Sequence, residues 1–221
     1  MTDDPIAASD SRVLDPIDRI SEVLFGLFMV LTFTGTLSVL DSGRDDVRSM
    51  LVAAIGCNLA WGFVDAVMFL LRTLVARGRK LRLVLAVRHT LQADQAQRLI
   101  ADEIGPLAGA LEAADLERVR RWLADQPANA LPKVALTRAD ARAALAVFLL
   151  VFLSTFPVVL PFVFIADPGV AKRASAAVAI AMLFACGLAW GRYAGLTAWR
   201  TGLVMVLLGV VVEAIVIALG G

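Results

Sequence analysis

Apolar positions run almost unbroken through five stretches of the chain: Ile20–Leu40, Ser49–Leu71, Ala143–Ile165, Ala174–Gly195 and Thr201–Leu219. Each has about the length of the roughly 20 apolar residues that a helix needs to cross the hydrocarbon core of a bilayer. Lipid offers the backbone no hydrogen-bond partner, so such runs satisfy their amides internally, as helices. The pattern predicts an all-α polytopic membrane protein with five transmembrane helices. Between the second and third runs the periodicity changes. Leu81 to Ile104 is rich in helix formers, with an apolar face around Val84, Val87, Leu91 and Ile100. Gly105-Pro106 breaks it, with Pro106 suited to a first helical turn. Leu107 to Leu123 then places Leu107, Leu111, Leu116, Val119 and Leu123 near one face, before Gln126-Pro127 and Leu131-Pro132 end the hairpin. Thr137 stands where it would cap a helix entering the third span. The expected organisation is an acidic tail over 1–18, transmembrane helices 1 and 2 over 19–76, a helical cytoplasmic insertion over 77–141, and transmembrane helices 3 to 5 over 142–221.

Composition agrees, since 59% of the 221 residues are apolar against about 45–50% in a soluble domain. A net charge of +1 says nothing about partners, but its distribution orients the chain. Twelve basic residues lie between Arg77 and Arg142, and Arg192 and Arg200 fall on the same side. The opposite side has Arg44, Arg48, Lys172 and Arg173. By the positive-inside rule the N-terminus and the insertion are cytoplasmic and the C-terminus is external. The acidic Met1–Asp18 segment and the length of the first apolar run argue against a cleavable signal peptide. The alanine- and arginine-rich style points to a bacterial inner membrane.

The candidate chemistry is an ionisable residue inside a span. Asn58, Trp61, Asp65, Met68 and Arg72 recur in steps of three and four, stacking along one stripe of the second helix. A charge near mid-bilayer costs roughly 2.5–3.5 kcal/mol on insertion scales, so it normally faces a protein interior or a wet path. Asp65 therefore marks either a transport site or a buried polar contact between helices. Glu22 lies at the inner end of the first span, where it either joins a path or snorkels to the interface. Glu213 lies about two turns from the outer end of the last span. Pro157 and Pro161 predict a kink or a break in the third. Gly187, Gly191 and Gly195 form a small-residue stripe for close helix packing. Cys57 and Cys186 have no redox or metal spacing. The lone His89 argues against a histidine-ligated metal cofactor. No nucleophile–base pair indicates an enzyme.

The pieces FGLFMVLTFTG, GCNLAWGFVDAVMFLL, STFPVVLPF and WRTGLVMVLLGVVVEAIVIALGG, in this order over residues 19–221, resemble the vacuolar iron transporter (VIT) family. The resemblance implies a dimeric, proton-coupled exporter of ferrous iron or manganese. This chain departs from the family in places. Phe25-Gly26 stands where members typically carry Asp-Gly, with Glu22 one turn earlier. Asn58 falls near a carboxylate position of the family's ion path, with Asp65 and Met68 close by. The family's glutamate-rich insertion is represented by the glutamates Glu103, Glu112 and Glu117, with Asp94, Asp102 and Asp115 near them in sequence.

The expected function is a divergent VIT-like transporter that moves Fe²⁺ or Mn²⁺ out of the cytosol by proton exchange. Asp65 would be ligand or proton carrier, Asn58 and Met68 secondary ligands, and Glu22 the inner mouth. Glu103, Glu112 and Glu117 are outlying metal candidates. Expected partners are the bilayer, the metal ion as cargo and a second copy of the chain; neither a resident cofactor nor nucleic acid is expected. The alternative is a non-transporting membrane scaffold or regulator that keeps the fold without the ion path.

Overall fold

The structure, a computed structural model, describes residues 14–35, 44–127, 130–131 and 133–219. Among these residues all the long elements are α-helices: α1 (Pro16–Gly35), α2 (Arg44–His89), α3 (Ala93–Ile104), α4 (Ala113–Asp125), α5 (Arg138–Phe164), α6 (Pro168–Tyr193) and α7 (Ala198–Ala218). They divide into two compact units. One holds the described residues of Met1–Phe69 and Arg138–Gly221, the other Leu70–Thr137, with α2 continuous through the boundary.

Among the described residues four helices, α2, α5, α6 and α7, are long and apolar enough to cross a membrane. α1 is not among them, because its first two turns carry Asp18, Arg19 and Glu22. The expected first span also continues to Leu40, outside the described residues. The packing gives α1 a defined direction nonetheless. Leu14, just ahead of it, packs with Ala143 and Val147 of α5. Gly26 lies against Val151 and Ser154, so α1 and α5 run parallel. α2 runs the opposite way: Met50 packs with Phe162, Asn58 meets Thr155, Gly62 touches Phe148, and Phe69 packs with Ala143 and Val147. At the far end of α1, Gly35 is reached by Lys172 of α6 and by Glu213 of α7.

Small residues set the closest approaches. A Cβ on Gly187 would lie 2.7 Å from the Gly202 Cα and 2.8 Å from the Thr201 carbonyl oxygen, and one on Gly191 2.7 Å from the Ala198 Cα. These two glycines bring α6 against α7. The third member of the stripe, Gly195, has another task. Its φ of +68° ends α6, while Leu196 N–H donates to the Gly191 carbonyl at 2.8 Å, a six-residue C-capping bond. Asp167 starts α6, its carboxylate accepting from Val170 N–H at 2.7 Å ahead of Pro168. The prolines of α5 do not break it: the helix is continuous from Arg138 to Phe164. The Ser175 hydroxyl, from α6, donates to the Val158 carbonyl at 2.6 Å within this proline-containing stretch.

The second unit departs from the expected two-helix hairpin. α2 ends at His89, where the Thr90 hydroxyl donates back to the Ala86 carbonyl at 2.6 Å; such back-bonding competes with helix continuation. Leu91 is then fully exposed rather than on the apolar face. Leu107 and Leu111 are likewise exposed, in and just after a 3₁₀ segment, Gly105–Ala110. α4 begins only at Ala113 because Glu112 and Asp115 form a reciprocal capping box. What remains is a small core of Val87, Ala96 and Ile100 under Leu83, Leu116, Val119 and Leu123.

Candidate functional site

In the membrane unit, buried polar side chains of α2 and α5 meet α1 at one point. Asn58 is 0% exposed. Its Nδ2 donates to the Gly26 carbonyl of α1 at 3.2 Å and to the Thr155 hydroxyl of α5. Gly26 permits this meeting: a Cβ there would lie 2.6 Å from the Val151 carbonyl oxygen and collide with the Ser154 hydroxyl. Ser154 and Thr155 are buried, and Ser154 donates to Val151 O at 2.7 Å. The amide oxygen of Asn58 is buried and accepts no hydrogen bond among the described residues. An unsatisfied buried acceptor costs roughly 1–3 kcal/mol, which makes this oxygen a position for a donor or a cation.

The proposed stripe on α2 does not share one environment. Asn58 is inside, Asp65 is half-buried, Trp61 and Arg72 are exposed, and Met68 is 47% exposed. Steps of three and four average 3.5 residues per turn, so on a straight helix such a stripe drifts by about 20° per heptad. The face turned to α1 and α5 instead follows four-residue steps, Ala54, Asn58 and Gly62, all buried. Asn58 thus belongs to the interior and Met68 to the outer surface of a single chain, with Asp65 between. Trp61 packs edge-on to Phe25 of α1 at 6.0 Å between ring centroids. Glu22 is half-buried in the second turn of α1. Sequence alone marked Gly26 only as the partner of Phe25 and left Gly62 unremarked, although its four-residue offset from Asn58 was an available signal.

The carboxylates of the insertion lie apart. Glu117 receives Arg120 Nε and Nη2, each at 2.7 Å, Arg121 Nε at 2.9 Å and Gln97 Nε2 at 3.1 Å. The Arg120 hydrogen bonds, seconded by Arg121 and Gln97, hold its carboxyl well below the usual range, and Glu117 in turn raises Arg120. Glu112 caps α4, and Glu103 is exposed on α3. Among the described residues no three His, Cys, Asp or Glu side chains are grouped to hold a metal ion.

These features define a helical multi-pass membrane protein with a second, small helical unit and a buried polar node. Residues 74–221 match the model of the VIT family, and the chain belongs to that family. Membership suggests a membrane metal-ion transporter rather than an enzyme. No curated protein matches the chain. The matched stretch takes in nearly all of the second unit and α5 to α7, whereas Glu22, Asn58, Asp65 and Met68 precede it.

Proposed function

We propose that the chain is a divergent VIT-type exporter carrying Fe²⁺ or Mn²⁺ out of a bacterial cytosol in exchange for protons. Five spans cross the inner membrane, with the N-terminus and residues 77–141 cytoplasmic and the C-terminus external. The parallel run of α1 and α5 supports the fifth span, since α2 must return between them. The observation that carries the reading is Asp65, a half-buried carboxylate within the apolar stretch of α2 in a VIT-family chain. Asp65 acts as ligand and proton carrier. Asn58 contributes its spare amide oxygen, because its nitrogen is already bonded to Gly26 and Thr155. Glu22 serves the inner mouth. Met68, facing outward on one chain, becomes a ligand only beside a second copy, so the transporter is a two-fold dimer in which each ligand occurs twice. Oxygen donors suit Mn²⁺, and the thioether favours the softer Fe²⁺.

Asp65→Asn keeps the volume and removes a charge that lipid disfavours. Folding and insertion should survive while metal tolerance conferred by the protein disappears. Met68→Leu should weaken tolerance to iron more than to manganese. The scaffold reading is favoured by one observation, that the Asn58 amide already ties α1, α2 and α5 together. A wild-type protein without any metal phenotype, combined with an Asp65→Asn variant of lowered melting temperature, would replace the transporter by that scaffold.

A further inference from the structure

A groove of about 510 Å³ opens on the surface of the membrane unit between α1, α5 and α6, with Ser154 of the polar node on its lining and no residue of α2. Its walls are aliphatic, with Val23 from α1, Leu149 and Leu153 from α5 and Met182 from α6, and Arg19 is the charged residue on its lining. Arg19 stands one turn before Val23 on the same face of α1. On α5 the groove-facing residues Ala146, Leu149 and Leu153 continue backwards, by a four-residue step, to the exposed Arg142. Because α1 and α5 run parallel, both arginines lie towards the same end of the groove. That end is a membrane boundary by composition: Tyr193 and Trp199 are exposed there with Arg192 and Arg200, as in the aromatic and basic belts of membrane proteins. Of the neighbouring carboxylates, Asp140 is buried, Glu22 half-buried, and Asp15 and Asp18 exposed. Arg19 forms no ion pair among the described residues.

We infer that this groove is a binding site for an anionic phospholipid. One acyl chain lies along Val23, Leu149, Leu153 and Met182, and the headgroup phosphate meets Arg19 and Arg142. An aliphatic trough ending in two cations is complementary to an acyl chain joined to a negative headgroup, and basic pockets between transmembrane helices are known as lipid headgroup sites. A zwitterionic lipid would fill the trough equally but gain less from the arginines. A basic side chain near the headgroups contributes about a fivefold preference for anionic lipid.

The test uses the full chain in nanodiscs of mixed phosphatidylglycerol and phosphatidylcholine, released into native mass spectrometry. The wild type should retain phosphatidylglycerol in preference. Arg19→Gln with Arg142→Gln should reduce that preference at least fivefold while leaving total bound lipid unchanged. Leu153→Trp, which fills the trough, should remove the retained lipid with the helical circular dichroism intact. Equal retention of the two lipids by the wild type overturns the site. So does a disulfide-linked dimer from Leu149→Cys in a Cys57→Ala, Cys186→Ala background, which would seat a second copy of the chain in the groove.

Discussion

Ile100 in the second unit and Asn58 in the membrane unit are both buried at the centre of a helix packing, yet their surroundings are opposite in kind. Ile100 sits among Val87, Ala96, Leu116, Val119 and Leu123. Asn58 is bonded to a carbonyl and a hydroxyl beside a glycine. The second unit gains from removing aliphatic surface from water, and its charges pair at the edge of that core, where the half-buried Glu117 meets Arg120 and the exposed Arg121. The membrane unit has no such gain available between helices, because lipid tails are as apolar as leucine; close backbone approach and hydrogen bonds hold the helices instead. One chain therefore uses glycine and amide among its membrane-length helices, and isoleucine and a capping box in its second unit.

The comparison breaks most visibly at Gly187. A leucine there must displace backbone of α7, since Gly202 Cα and Thr201 O stand within 2.8 Å of its Cβ. Gly187→Leu should abolish stable insertion, read as loss of monodisperse protein in mild detergent, whereas Gly78→Ala, with open space around its Cβ, should be tolerated. Ile100→Ala comes next. In so small a core the loss, about 2–5 kcal/mol, should expose sites in Leu70–Thr137 to protease while the membrane helices remain folded. Asn58→Leu removes both hydrogen bonds to α1 and α5 and should cost about 1–2 kcal/mol, measurable by unfolding in mixed micelles; a neutral result would mean that packing alone holds the three helices.

The smallest effect belongs to Glu117→Gln, because its ion pairs reach water. It should shift the melting point of the second unit only slightly. Its pH dependence is more telling. A carboxyl held below its ordinary value, about 4.3, adds stability that is fully present above that value and declines as pH falls towards its folded-state value. The wild-type second unit should thus lose stability on acidification below about pH 4, and Glu117→Gln should flatten that slope. Parallel slopes for the two proteins would mean that the ion pairs make no net contribution.

Much of this molecule follows from the sequence because solvent enforces it. An apolar run of about 20 residues has only helix to adopt in lipid, and four such helices appear where the pattern places them. Asn58 and Asp65 stand out because polar atoms are costly in that setting. Their environments were decided by tertiary packing. Helical spacing sets which residues share a face but not which face meets α1 and α5, so Asn58 turned inward while Met68, on the same stripe, turned outward. The glycines divided for a similar reason. Gly187 and Gly191 are read by a partner helix, while Gly195, in the same register, ends α6 at a φ that a side chain disfavours. In the second unit Leu91, Leu107 and Leu111 fit an amphipathic pattern, but a hydroxyl at Thr90 and the capping box at Glu112 stopped the helices that would have carried them. Local hydrogen bonds of that kind are worth about as much as one exposed leucine, so periodicity by itself does not rank them.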